Sequence, residues 1–184
     1  MRSRFQPYSS HLELAPSLWA SIITSDSIVI DMTAGKGNDT KILQDLKPAK
    51  VIAIDLQPES IEICRSRLND VEFHIGDHGE FPLTLENESI TLAVYNLGYL
   101  PGSDKKITTM TDSTLLSVQR MLPKLKAGGA LSITCYPGHP EGLIEENKLL
   151  EYAKTLNPLE FMISYTRFIN RNQAPSLLWV AKAI

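Results

Sequence analysis

Short apolar runs and stretches of helical spacing take turns along this chain, and that alternation limits the fold more than any other feature. Ser27–Met32, Lys50–Asp55, Val71–Ile75, Ile90–Asn96 and Ala130–Tyr136 are runs of five to seven residues rich in Val, Ile and Leu. Such runs read as buried strands. Between them lie helical patterns. Leu14–Thr24 puts Leu14, Leu18, Ile22 and Ile23 on one face. A helix follows a glycine turn and runs to about Leu46, and Pro58 opens another with Ile61, Cys64 and Leu68 inward. Thr111 caps a helix carrying Leu115, Val118, Leu122 and Leu125, which Gly128-Gly129 ends. Leu143–Leu156 is helical and stops before Pro158. Strands alternating with helices predict a doubly wound α/β fold with a mostly parallel sheet. Two consecutive strands, Phe161–Phe168 and Leu177–Ala183, close the chain, so the last of seven strands is expected to run antiparallel.

The 184 residues suit a single domain over 1–184, with residues 1–26 as a helical segment packed on it. No apolar run approaches the ~20 residues of a membrane span, and Met1–Pro7 lacks the apolar stretch of a secretory signal. Cys64 and Cys135 have no metal-ligand spacing, which predicts buried free thiols, no metal and a cytoplasmic location. The net charge of −3 excludes a strongly basic nucleic-acid binder but not a local patch. Residues 55–90 hold nine acids and two bases, whereas residues 91–134 hold two acids and five bases. Most of these read as solvated helix faces.

In open α/β sheets, ligands bind outside the carboxyl ends of the strands, where strand order reverses. The first such end reads Asp31-Met32-Thr33-Ala34-Gly35-Lys36-Gly37-Asn38-Asp39-Thr40. Ile30 and Gly37 break a Walker loop, and Thr40 stands where a dinucleotide fingerprint needs glycine. A cofactor without phosphate, S-adenosylmethionine, fits better. Asp31 would pair with its ammonium, Gly35 and Gly37 would let the backbone approach, and the following helix N-terminus would receive its carboxylate. Thr33, Asn38, Asp39 and Thr40 are further candidates in the same stretch. Asp55 ends the second strand and would accept both ribose hydroxyls, with Gln57 nearby. Asp77 would face the adenine amino group, with Leu56 and His78 packing on the ring.

The fourth strand ends in Asn96-Leu97-Gly98-Tyr99-Leu100-Pro101-Gly102 and the fifth in Tyr136-Pro137-Gly138-His139-Pro140-Glu141-Gly142. The first string resembles the Asn-Pro-Pro-Tyr loop of amino-group methyltransferases. Side-chain carbonyls there can hold the N–H bonds of a nucleophile while an aromatic ring packs on it, so orientation supplies much of the rate. Asn96 also borders the cofactor side. His139 reads equally well as a proton acceptor or as a structural loop histidine. Asn170–Pro175 connects the last two strands and would contact substrate or form a polar hairpin.

Together these stretches resemble a small family of bacterial enzymes long labelled ribosomal-RNA methylases, now associated with N-methylation of the aminomethyl group of wobble uridine in transfer RNA. The resemblance spans about residues 31–175. It implies a Rossmann-like methyltransferase fold, with Asp31, Gly35, Gly37, Asp55 and Gln57 holding S-adenosylmethionine. It also implies an acceptor pocket of Asn96, Tyr99 and His139. Where the family usually carries Asn, this chain has Lys36, and Asn38 stands where His is common. Asp77-His78-Gly79-Glu80 has a glycine more than the usual Ser-His-Glu. The expected partner is a tRNA anticodon loop, with Arg2, Arg4, Lys105, Lys106, Arg167 and Arg171 as phosphate contacts. A homodimer would merge two weak patches. The competing readings are methylation of another RNA or a small amine, a non-catalytic cofactor-binding module and, more remotely, a dehydrogenase.

Overall fold

The computed structural model describes residues 10–80, 85–98 and 109–184. Seven strands form one sheet: β1 (Ile28–Asp31), β2 (Lys50–Asp55), β3 (Val71–Ile75), β4 (Ile90–Asn96), β5 (Leu125–Cys135), β6 (Phe161–Arg167) and β7 (Ser176–Lys182). Their order is β3-β2-β1-β4-β5-β7-β6. The pairs from β3 to β5 are parallel, and β7 runs antiparallel to both β5 and β6. Strand order therefore reverses between β1 and β4, and their carboxyl ends flank a crevice.

Among the described residues, five α-helices flank the sheet: α1 (His11–Ile22), α2 (Asn38–Asp45), α3 (Pro58–Arg67), α4 (Thr111–Met121) and α5 (Pro140–Ala153). One face of the core holds Ile30, Ile52, Ile54, Tyr95, Leu131 and Ile133 with Val118 and Met121 of α4 and Leu149 of α5. Each large aliphatic side chain buried there contributes about 1.5–3 kcal/mol. On the other face, Leu14, Ala15 and Trp19 of α1 pack on Val29, Leu92, Val94 and Trp179. Trp19 keeps its indole N–H satisfied by donating to Ser132 Oγ at 2.8 Å.

Several boundaries differ from the sequence expectation for physical reasons. α1 begins at His11 rather than Leu14, because the Ser10 carbonyl accepts from both Glu13 and Leu14 N–H. Pro16 then lies inside the helix. Thr111 is helical rather than the cap, and both its N–H and its hydroxyl engage Glu141 Oε1. Leu125 opens β5 instead of ending α4, which puts Gly128 and Gly129 within the strand. A Cβ on Gly129 would stand 2.8 Å from the Ile90 carbonyl, beside the register shift between Ile90 and Leu92 in the β4–β5 pairing. That glycine pair marks a bulge, not a helix stop. α5 starts at Pro140, three residues early, because His139 caps it.

Cys64 and Cys135 are buried free thiols. Among the described residues, no helix is long and apolar enough to cross a membrane, and no group of three or more His, Cys, Asp or Glu could hold a metal ion.

Candidate functional site

A cavity of about 860 Å³ opens at the carboxyl ends of β1, β2 and β4, toward the large end of small-molecule sites. Of the residues singled out from sequence, Thr33, Gly35, Asn38, Asp39, Asp55, Leu56, Gln57, Asp77, His78, Asn96 and His139 line it. Asp31, Gly37 and Thr40 lie behind its wall. Tyr99 is outside the described residues, as are Arg2, Arg4, Lys105 and Lys106.

On the β1–β2 side, carboxylates accept mainly from backbone N–H groups, with the Thr40 and Ser113 hydroxyls as further donors. Asp31 is 0% exposed and accepts from Thr40 Oγ1 at 2.6 Å and Thr33 N–H at 3.2 Å. Burial first, and then the neighbouring Asp39 charge, push its carboxyl up to about 7 against those two bonds. Direct pairing of Asp31 with a ligand cation does not fit this position. Its carboxylate secures the turn from below, and Thr40 serves it. Gly37 also differs from expectation. Its φ of +77° suits glycine, and the close approach is to α3, since a Cβ would meet Cys64 Sγ at 2.9 Å.

Asp55 does face the cavity. Its two oxygens accept from Gly35 N–H at 2.7 Å and Gln57 N–H at 2.8 Å. Each oxygen keeps a lone pair for a further donor, so the carboxylate is aimed and available to a diol. Leu56 beside it is 57% exposed, an apolar shelf at the lip. Asp77 accepts from the Ser113 hydroxyl and from Gly79 N–H at 2.7 Å. Burial pushes its carboxyl up, but these donors outweigh burial and hold it below its usual range. A Cβ on Gly79 would approach Ser113 Oγ to 2.7 Å, so the extra glycine lets this turn seat against α4. Burial lowers the His78 pKa. The ring sits edge-on to Tyr95, with Nε2 3.3 Å from Thr114 Oγ1.

The β4–β5 side is held by side chains far apart in sequence. Asn96 N–H donates to Thr33 Oγ1 at 2.7 Å, and Asn96 Nδ2 donates to Asp39 Oδ2 at 2.9 Å. Burial raises the Asp39 pKa, and the Asn96 bond opposes that rise. Gly98 N–H donates to Thr109 Oγ1 at 2.8 Å, and Thr109 N–H returns to the Gly98 carbonyl at 3.1 Å. Glu145, only 2% exposed, accepts from the Thr109 and Thr114 hydroxyls at 3.0 and 2.6 Å. Burial raises its pKa.

Tyr136 lines the same side. Burial, then the Asp39 charge, push its phenol up to about 12 against an Asn96 hydrogen bond, so it stays protonated at neutral pH. His11 Nε2 lies 3.3 Å from its hydroxyl, with the rings edge to face. His139 Nδ1 accepts from Gly142 N–H at 3.1 Å. His139 thus caps α5 at the cavity wall.

Tyr136 of the fifth strand-end string and Gln173 and Pro175 of the Asn170–Pro175 turn, both singled out from sequence, also line the cavity. Sequence reasoning missed Leu12, Thr109, Met110 and Ser113 as lining residues.

Residues 51–182 match the family model described as "Putative rRNA methylase". A chloroplastic tRNA (mnm(5)s(2)U34)-methyltransferase of Arabidopsis thaliana is 29% identical over 92% of this chain and 68% of its own length. A Clostridium thermocellum crystal structure carrying the same rRNA-methylase description superposes with a TM-score of 0.89 at 26% identity, covering 95% of this chain and 98% of the other. A Streptococcus mutans protein described as a methyltransferase, solved in complex with SAH, gives 0.85 at 29% identity over 99% of each chain.

Proposed function

Because the chain belongs to the rRNA-methylase family and is an S-adenosylmethionine-dependent methyltransferase, we propose that it methylates the amino nitrogen of 5-aminomethyl-(2-thio)uridine at the tRNA wobble position. The observation that carries this reading is one cavity that joins Asp55, Asp77 and the α2 N-terminus to Asn96. The donor set fits the cofactor. Asp55 has the lone pairs for a ribose diol, Leu56, Met32 and His78 offer a slot for a ring, and Lys36 and Asn38, at the turn and the α2 N-terminus, line the cavity where a carboxylate would sit. The Thr33, Asp31 and Thr40 bonds hold that turn in place.

When bound, S-adenosylmethionine supplies a methyl group whose bond to sulfur breaks toward sulfur as the acceptor's lone pair forms the new carbon–nitrogen bond. Asn96 holds the acceptor nitrogen through an N–H bond to its side-chain carbonyl. The Tyr136 ring packs on the base, and Leu12 and Met110 supply apolar lips that exclude water. Desolvation of the acceptor as it enters the cavity favours the neutral amine over its ammonium form. The proton released after transfer passes to solvent at the mouth of the cavity. Transfer RNA as substrate is supported by the Arabidopsis relative. Arg167 and Arg171 remain as described candidates for phosphate contacts, Arg171 lying 5.2 Å over the Phe168 ring.

Calorimetric titration tests the cofactor assignment. S-adenosylmethionine and S-adenosylhomocysteine are expected to bind one-to-one and NAD(H) not at all. Binding of NAD(H) alone would return the chain to the dehydrogenase reading.

A further inference from the structure

Asn96 can present either end of its amide to the cavity, and the two ends do opposite things to a nitrogen nucleophile. The carbonyl accepts an N–H and leaves the lone pair free. The NH₂ group donates into that lone pair and blocks attack. The backbone of Asn96 is pinned by its N–H bond to Thr33 Oγ1, so only the amide rotation needs a decision. Asp39 sits 2.9 Å from one end of that amide. The facing atom is Nδ2, which donates to Asp39 Oδ2. Tyr136, whose hydroxyl is engaged by His11, lines the same cavity.

We infer that Asp39 is a positioning residue: it locks the Asn96 amide with its carbonyl toward the acceptor. This inference rests on Asn96 serving the acceptor nitrogen. It gives Asp39 a different task from the cofactor contact expected from sequence. It also sets the substrate class, because the site offers an acceptor to an N–H-bearing nucleophile and offers nothing to one without a hydrogen.

The test is a double-mutant cycle of Asp39→Asn and Asn96→Ala, with tRNA carrying 5-aminomethyluridine as substrate. Asp39→Asn keeps the shape but offers Asn96 either partner, so the lock is lost. At saturating cofactor and tRNA, kcat is expected to fall about tenfold or more, with the S-adenosylmethionine Kd and the RNA KM little changed. In the Asn96→Ala background the same change should add almost nothing. Full additivity, or a raised cofactor Kd with kcat intact, overturns the inference. If Asn96→Ala itself leaves kcat unchanged, the acceptor reading fails; if only Asp39→Asn is silent, the positioning role alone fails. A readout that needs no substrate accompanies these. The Asn96 side-chain NH₂ resonances, identified by their loss in Asn96→Ala, should move in Asp39→Asn, while Tm stays within a few degrees. Unmoved resonances would also overturn it.

Discussion

The two halves of the cavity are built by different means. On the β1–β2 side, each carboxylate accepts from the backbone of its own loop or its neighbour, Asp31 from Thr33, Asp55 from Gln57 and Gly35, Asp77 from Gly79, with the Thr40 and Ser113 hydroxyls added to Asp31 and Asp77. On the β4–β5 side the restraints are mostly side chains brought from afar: Asp39 to Asn96, Glu145 to Thr109, His11 to Tyr136. Backbone-built walls tolerate change around them and suit a constant ligand. Walls built from distant side chains can be retuned one residue at a time, as substrate specificity requires. A few substitutions can sharpen or break this contrast.

The largest effect is expected at Asn96. Asn96→Ala should lower kcat by about 100-fold or more, the scale of losing an orienting contact to the reacting atom, with cofactor affinity preserved. Steady-state kinetics beside calorimetry would check it, and a loss of cofactor affinity instead would merge the two halves. Asp55→Ala should do the reverse. Losing hydrogen bonds to a charged acceptor should weaken S-adenosylmethionine about 10- to 100-fold, with kcat at saturation nearly intact; an unchanged Kd by titration would misplace the cofactor.

Glu145→Gln tests whether the acceptor wall is held at a distance. The neutral amide has one acceptor oxygen for the two hydroxyls that Glu145 now takes. A loss of about 1 kcal/mol in stability and a rise of about threefold to tenfold in RNA KM are expected, with the cofactor Kd unchanged. Chemical denaturation and kinetics would measure both.

The smallest effect concerns pH. The Asp31 carboxyl is raised to about 7 in the fold, whereas an unfolded aspartate titrates near 3.9. Between those values the folded chain binds more protons than the unfolded one. Its contribution is therefore fully present below about pH 4 and is lost as pH rises through about 7. Asp31→Asn should flatten that decline. Asp39 and Glu145 are raised too, so some slope remains. An identical pH–stability curve for the variant would show that Asp31 is not the buried acid described.

The contrast between the halves also explains what could be read from the chain. Strand ends announce themselves through apolar runs that stop at Asp31, Asp55 and Asn96, so the sheet, its final antiparallel strand and half of the cavity were legible. Short-range bonds add little to that signal and need little. Asp31 and Gly37 were legible as positions but not as roles, since only packing reveals that one is sealed and the other meets Cys64. Glu145 and Glu146 look in sequence like the solvated acids of a helix, yet they are 2% and 3% exposed. Glu146 takes the Ser176 and Tyr165 hydroxyls across the sheet. The tie between His11 and Tyr136 crosses 125 positions, and no local pattern encodes it. Gly128-Gly129 misled for a related reason: a glycine pair signals a helix end or a bulge, and the approach of β4 decides between them.

The central claim is the substrate, and labelled methyl transfer tests it most directly. Two tRNA pools, one carrying 5-aminomethyluridine and one lacking it, would be incubated with the protein and labelled S-adenosylmethionine, and their nucleosides resolved by mass spectrometry. Label only in the first pool, as methylaminomethyluridine, is the predicted result. No label in either pool, with cofactor binding intact, would contradict the claim and direct the search to other RNAs and small amines.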